Sequence, residues 1–268
     1  MVSLLPQLLG RTLLIVAHPD DECIAYGTLL QRMREPYVVY ATDGAPRDSY
    51  FWQKYGSRAE YAILRQQEAR MALACAGVQN VEFLADSSER LGVTFEDQGL
   101  FRVLPQAFEA LAEIVERLRP EALATLAYEG GHPDHDSCNL LTYELGKTYE
   151  IAAWEAPLYH REPGNEKGHV VQDFVSRDGN EEIVMGQPNE LERKSAMCAA
   201  YPSQGDFLGT FQLEREIVRP LHEYDYTRPA HIGRLNYEAW QWPMTGKEVS
   251  GEFARFLQSR QVAKQPAT

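Results

Sequence analysis

The chain has 268 residues, 44% of them hydrophobic, which suffices for one large domain with a sizeable core. A formal charge of −13 without any cluster of Lys or Arg speaks against nucleic acid or an anionic membrane as partner and favours a small neutral or cationic substrate. The first ten residues carry no basic region ahead of their short apolar segment and no run approaches eighteen apolar residues, so neither a signal peptide nor a membrane span is expected.

Residues 13–17 form an unbroken apolar run, the pattern of a strand buried on both faces, and it passes directly into His18-Pro19-Asp20-Asp21-Glu22. The proline ends the strand, and residues 23–34 recover a helical pattern through Ile24, Leu29, Leu30 and Met33. His18 and the acids therefore share one tight turn at the carboxyl edge of a sheet, where open α/β folds place their ligands. An imidazole and a carboxylate there suit a first-row divalent metal, with a second carboxylate spare for proton transfer. Chemistry alone does not say which of Asp20 and Asp21 binds the metal, and a further ligand is needed.

Residues 37–42 read as the second strand, leaving through the turn Asp43-Gly44-Ala45-Pro46. Thr42, Asp43 and Arg47 are placed on the substrate side, although an ordinary turn accounts for Asp43. The aromatics Tyr50, Phe51, Trp52 and Tyr55 either stack on a sugar ring or fold down as a small satellite core. Residues 57–76 are helical and close at Gly77; within them Arg65 and Glu68 have the spacing of a surface ion pair. Residues 81–84 are a third strand, 86–99 an acidic, turn-rich connection read as a flexible lip, and 100–118 a helix stopped by Arg119-Pro120.

A second strand-to-acid transition follows, from the apolar run 122–127 into Gly130-Gly131-His132-Pro133-Asp134-His135-Asp136. Acids after a strand are ordinary helix N-caps, so either stretch alone is balanced between that reading and a functional one. Together they hold three of the seven histidines, which points to a metal site. Strand and helix alternate through residue 149, giving an α/β, Rossmann-like, mostly parallel sheet with helices on both faces. No Gly-x-Gly-x-x-Gly follows a strand, so a dinucleotide is not the expected ligand.

Residues 134–150 are a helix and 151–154 a strand, after which the pattern changes. The runs 158–160 and 169–175 suggest a hairpin about the turn-rich residues 162–168, with His160 and His169 structural. Residues 188–200 are helical, and 205–244 are rich in aromatics, prolines and charge without periodicity, a substrate rim or an oligomer contact. A last helix over 248–257 precedes a polar tail, 264–268, expected to be disordered. The cysteines Cys23, Cys75, Cys138 and Cys198 lack close-pair spacing and read as reduced residues of a cytoplasmic protein, not as ligands.

Ala17-His18-Pro19-Asp20-Asp21-Glu22 together with His132-Pro133-Asp134-His135 resembles the signature of the LmbE-like (PIG-L) family of zinc-dependent N-acetylglucosaminyl deacetylases, over residues 11–150. The resemblance implies a deacetylase core over 1–155, with 156–268 an extension packed on it within one domain. It implies zinc, with ferrous iron as the alternative, held by His18, Asp21 and His135. Asp20 would then be the general base for the zinc-bound water, and His132, protonated and held by Asp134, would stabilise the oxyanion. Arg65 would contact the substrate, a small amino-sugar conjugate, and residues 194–204 would pack beside the active site. Many relatives assemble as homo-oligomers. The chain departs from some relatives at Gly130-Gly131, where they place a tyrosine that orients the substrate. Three other readings stand beside this one: a two-histidine, one-carboxylate iron oxygenase built on His18, Asp20 and His135; a catalytically silent metal- or carbohydrate-binding module; and a hydrolase of an O-acetyl ester or a longer N-acyl chain.

Overall fold

The apolar run at 13–17 becomes strand β1 (Arg11–Val16), and the run at 122–127 becomes β4 (Ala122–Leu126); β1 beyond Arg11 and all of β4 are buried. Because side chains alternate across a strand, Leu14 and Val16 enter one core layer with Leu29, Leu30 and Leu73, while Leu13 and Ile15 enter the other with Leu111 and Leu141. Coverage on both faces is why these strands read as continuous apolar runs and not as alternation.

In the computed structural model, which describes residues 5–165 and 167–263, the remaining strands are β2 (Glu35–Tyr40), β3 (Asn80–Phe83), β5 (Ala152–Ala156), β6 (Tyr159–Arg161), β7 (His169–Val171), β8 (Glu182–Met185) and β9 (Arg215–Pro220). Seven of the nine form one sheet in the order β3-β2-β1-β4-β5-β9-β8, and β6 and β7 make the expected hairpin. Strands β1 to β5 are parallel. The chain winds one way from β1 to β2 and β3 and the other way through β4 and β5, so the winding reverses between β1 and β4. The crevice such a reversal leaves at the carboxyl ends of the strands receives the two turns that begin after Val16 and Leu126.

The structure departs from the sequence reading in three places. The helix expected over 23–34 is two segments, Asp21–Ala25 and Gly27–Arg32, interrupted at Tyr26, whose hydroxyl donates to the Thr125 carbonyl of β4 at 2.6 Å. Within the stretch without periodicity, β9 continues the main sheet antiparallel to β5, and β8 closes its edge. The reason β9 escapes a hydrophobic-pattern reading is its composition: buried Glu216 accepts the backbone N–H groups of Thr28 and Leu29 and the Lys194 ammonium, and buried Arg219 pairs with Glu155 at 2.8 Å. Two of its inward positions are thus charged and internally paired. The final helix spans Gly246–Ala263, longer than expected, and residues 264–268 lie outside the described residues. No helix among the described residues is long and apolar enough to cross a membrane.

Candidate metal centre

The first turn is fixed by its own side chains. Asp21 accepts the backbone N–H of His18 at 2.8 Å, and Glu22, itself held by the Tyr201 hydroxyl at 2.7 Å, accepts that of Asp20 at 3.1 Å. Asp20 adopts φ 130°, a conformation that costs a non-glycine residue about 1–3 kcal/mol and persists only where the surroundings enforce it. Arg65 supplies part of that enforcement by donating to the Pro19 carbonyl and, at 3.1 Å, to the Asp20 carboxylate. From the exit of β2, Gly44 (φ 61°) supports the turn so closely that a Cβ there would lie 2.8 Å from Pro19 Cδ.

The second turn is built around Asp136, whose carboxylate accepts the N–H groups of Glu129 and Gly130 at 3.1 and 3.0 Å. The helix Pro133–Tyr149 then starts with proline in its first turn and His132 as its cap, Nδ1 accepting the Asp134 N–H at 3.1 Å. Asp134 and His135 are thereby aimed from the helix N-terminus toward the first turn.

Donor atoms of three residues converge where the turns meet. His135 Nε2 lies 3.3 Å from His18 Nδ1 and 3.2 Å from Asp21 Oδ1, and His18 Nδ1 lies 3.6 Å from Asp21 Oδ2. Zinc bonds of about 2.0–2.2 Å in tetrahedral geometry require ligand atoms about 3.3–3.5 Å apart, so the spacing fits a metal. The other nitrogen of His18, Nε2, is 3.2 Å from Asp134 and 3.4 Å from Asp97. Those carboxylates keep the proton on Nε2 and leave the Nδ1 lone pair facing Asp21 and His135. Overlapping donor groups, His18–His132–His135 and His18–Asp97–His132–Asp134, also bring their ligand atoms within 4.8 Å. The set containing Asp21 is the better cradle because it has tetrahedral edges and leaves His18 Nε2 to its carboxylates.

Electrostatics agree with a cation at this place. Burial disfavours charge on His18, yet Asp97, Asp134 and Asp21 together push its pKa well above the usual value. Burial alone would raise Asp21, but His135 and His18 draw it down to about 2. At Asp20 burial, joined by the neighbouring Asp21 and only partly offset by Arg65 and His18, raises the pKa to about 8. A nest that stabilises imidazolium stabilises a divalent cation for the same reason.

His18, Asp20, Asp21, His132, Asp134 and His135 are brought together as the sequence suggested, but two partnerships differ. Asp134 does not hold His132: its carboxylate is 3.8 Å from His132 Nδ1 and instead accepts from the N–H groups of Gln98 (2.6 Å) and Leu100 (3.0 Å) and faces His18. Nor is His132 favoured as a cation, since burial and the neighbouring His18 charge lower its pKa. The partner of His132 is Asp97, 3.3 Å from Nε2. The sequence reading passed over Asp97 because its segment shows no periodicity; far from a lip, this segment is anchored by buried Phe95, whose carbonyl accepts the Asp43 N–H, while the Asp97 N–H donates to the Asp43 carboxylate. The His18-x-Asp20 oxygenase triad is not assembled, because Asp20 turns to Arg65.

Arg65 and Glu68 do not pair with each other. Glu68 holds the backbone and hydroxyl of Ser203, which carries Gln204 to the Tyr61 hydroxyl. A pocket of about 330 Å³ opens above the centre, with His18, Asp20, Asp21, Arg65 and Asp97 in its floor and Phe51, Tyr159, Phe207, Trp240 and Trp242 in its walls. The aromatic loop thus contributes Phe51 to the pocket, while Tyr55 stacks on Tyr61 and Tyr50 faces solvent. Thr42, Asp43 and Arg47 are absent from the lining; Arg47 pairs with Glu96 and Asp43 with Arg58. Asp134→Asn weakens the hydrogen bond that orients His18, and metal affinity measured by chelator competition is expected to fall about 10- to 100-fold.

Residues 13–145 match the family model described as PIG-L, GlcNAc-PI de-N-acetylase. The chain is 28% identical over 201 residues to a 1D-myo-inositol 2-acetamido-2-deoxy-alpha-D-glucopyranoside deacetylase of Mycobacterium sp. (strain JLS), an alignment covering 67% of this chain and 63% of that protein. The corresponding protein of Thermobifida fusca (strain YX) is 24% identical over 288 residues, covering 82% of this chain and 93% of the relative. Among solved structures, a triple mutant of a deacetylase of the teicoplanin biosynthetic pathway superposes with a TM-score of 0.62 at 18% identity, over 80% of this chain and 99% of that one. This last likeness is one of fold.

Proposed function

Because the chain belongs to the PIG-L (LmbE-like) family, we propose that it is a metal-dependent amidohydrolase that removes the acetyl group from an N-acetylglucosamine-type small-molecule conjugate, releasing a free amine and acetate. The observation that carries this reading is the convergence of His18 Nδ1, Asp21 and His135 Nε2 within 3.2–3.6 Å, with a second acid, Asp20, excluded from that set and lining the pocket beside His18 and Asp21. Two imidazoles and a carboxylate suit zinc, with ferrous iron as the alternative. His18, Asp21 and His135 would hold a divalent ion, which would supply polarisation of the amide carbonyl and acidification of water, from near 16 to about 7 in the most favourable case.

The chain's own groups do the rest. Asp20 accepts the proton of the attacking water and passes it to the departing amine, while Arg65 fixes the carboxylate for both transfers. With Nδ1 accepting the Asp134 N–H, neutral His132 carries its proton on Nε2, 3.3 Å from Asp97, and this N–H turns from that carboxylate to the tetrahedral oxyanion once the oxyanion forms. The substrate is a small uncharged or cationic amino-sugar conjugate, neither nucleic acid nor membrane, and the setting is cytoplasmic; the net charge of −13 and the widely spaced cysteines support this.

Zinc-loaded protein incubated with a panel of N-acetylglucosamine conjugates is expected to release amine and acetate in equal amounts. Bound zinc with no release of either product from any member of the panel would sink the proposal and leave a silent binding module.

A further inference from the structure

The pocket walls describe the other half of the conjugate. Aromatic rings run outward from the centre in an unbroken series: Tyr159 lies 5.4 Å from His135 between ring centroids, Trp240 5.9 Å and Phe207 5.7 Å from Tyr159, Trp242 5.1 Å from Trp240 and 4.8 Å from His132. The inner rings close directly on the catalytic histidines. The outer ones, with Phe51, stay 36–41% exposed at the mouth.

The wall is held in place from behind. Glu129 accepts the Leu158 and Tyr159 N–H groups at 2.9 and 2.8 Å, and Gly131 lies so close to the Tyr159 carbonyl that a Cβ would approach it to 2.0 Å. Ser203, two residues before the helix Gly205–Leu208 that carries Phe207, is clamped by Glu68. Anchoring of the Tyr159 backbone and of the segment that carries Phe207 lowers the ordering cost of binding an apolar partner.

Charge narrows the partner further. The single Lys or Arg lining the pocket among the described residues is Arg65, already committed to Asp20 and the Pro19 carbonyl, whereas Asp20, Asp21 and Asp97 all line the floor. Arg47, outside the lining, is bonded to Glu96 at 2.9 and 2.7 Å. Outside the metal and its ligand Asp21, an anionic group would meet Asp20 and Asp97 and no uncommitted Lys or Arg among the lining residues.

Resting on the deacetylase reading, we infer that the substrate's anomeric substituent is an uncharged aryl or alkyl group seated on Trp240, Phe207 and Phe51, and that Trp240 sets this specificity. The aglycone, and not the acyl chain, is assigned to these rings by their place. An acyl chain begins at the attacked carbonyl, where Tyr159 and Trp242 already close on the histidines, whereas the aglycone begins a sugar ring further out.

The test compares zinc-loaded wild type on methyl, 2-naphthyl and phosphate N-acetylglucosaminides and on an N-octanoyl methyl glucosaminide, by amine release. Calorimetry on zinc-loaded Asp20→Asn protein measures binding of the same four compounds. The naphthyl glycoside is expected to exceed the methyl glycoside in kcat/KM about tenfold, mainly through KM, with the phosphate below both. Trp240→Ala should cut the naphthyl-to-methyl ratio about tenfold, and Trp240→Phe should retain most of it. Equal use of naphthyl and methyl glycosides, preference for the phosphate, or preference for the N-octanoyl compound overturns the inference. Absence of amine release alongside a Trp240-dependent binding preference for naphthyl would defeat the deacetylase reading and leave the assignment of the wall standing; amine release without the preference would do the opposite.

Discussion

Asp20→Asn is expected to lower the turnover number for amine release by about 100- to 10,000-fold while the protein keeps one equivalent of metal, since that is the usual contribution of a positioned acid–base group. The substitution keeps the shape of the side chain and an oxygen for Arg65, and asparagine tolerates a positive φ better than most residues, so the turn survives. Metal content by elemental analysis and amine release on the same sample separate the two roles. A variant that loses metal together with activity would mean that Asp20 is a ligand; one that keeps both would remove it from the mechanism.

His135→Ala is expected to behave in the opposite way, losing the metal and with it the stabilisation that binding confers. A ligand present at a thousand times its dissociation constant stabilises the folded state by about 4 kcal/mol, which in a chain of this size corresponds to a rise in Tm on the order of 10 °C. Wild type should show that rise on adding zinc and His135→Ala should not, while the two apoproteins melt within a few degrees of each other. A zinc-dependent rise retained in the variant would move the metal to the overlapping group of His18, Asp97, His132 and Asp134.

Asp134 and Asp97 show how differently parts of one site are written in a sequence. Asp134 is conspicuous, two residues after a histidine and just past a proline, and the family resemblance assigned it to His132. Helix geometry decides otherwise: His132 caps the helix with its own Nδ1 directed at the Asp134 N–H, so the Asp134 carboxylate points across to His18, 116 residues away. Asp97 is silent in the chain, one acid in an acidic stretch, and acquires meaning only because the Asp43 carboxylate draws its backbone in over the crevice. The same holds for β9, where Glu216 and Arg219 disguise a buried strand, since their partners Lys194 and Glu155 come from distant segments.

The sequence by itself determined the two turns, because each is a local event: a strand coverable on both faces, a proline that ends it, and acids and a histidine that cap the helix beginning there. It thereby brought forward most of the side chains that meet at the candidate centre, His18, Asp20, Asp21, His132 and His135. Only the tertiary structure decided that β1 and β4 are neighbours, which sets His18 Nδ1 3.3 Å from His135 Nε2 across 117 residues. The same long-range packing decided which carboxylates attend which imidazole and which aromatics wall the pocket. Strand order and loop packing rest on contacts between segments remote in the chain, and no periodicity within either segment encodes its partner.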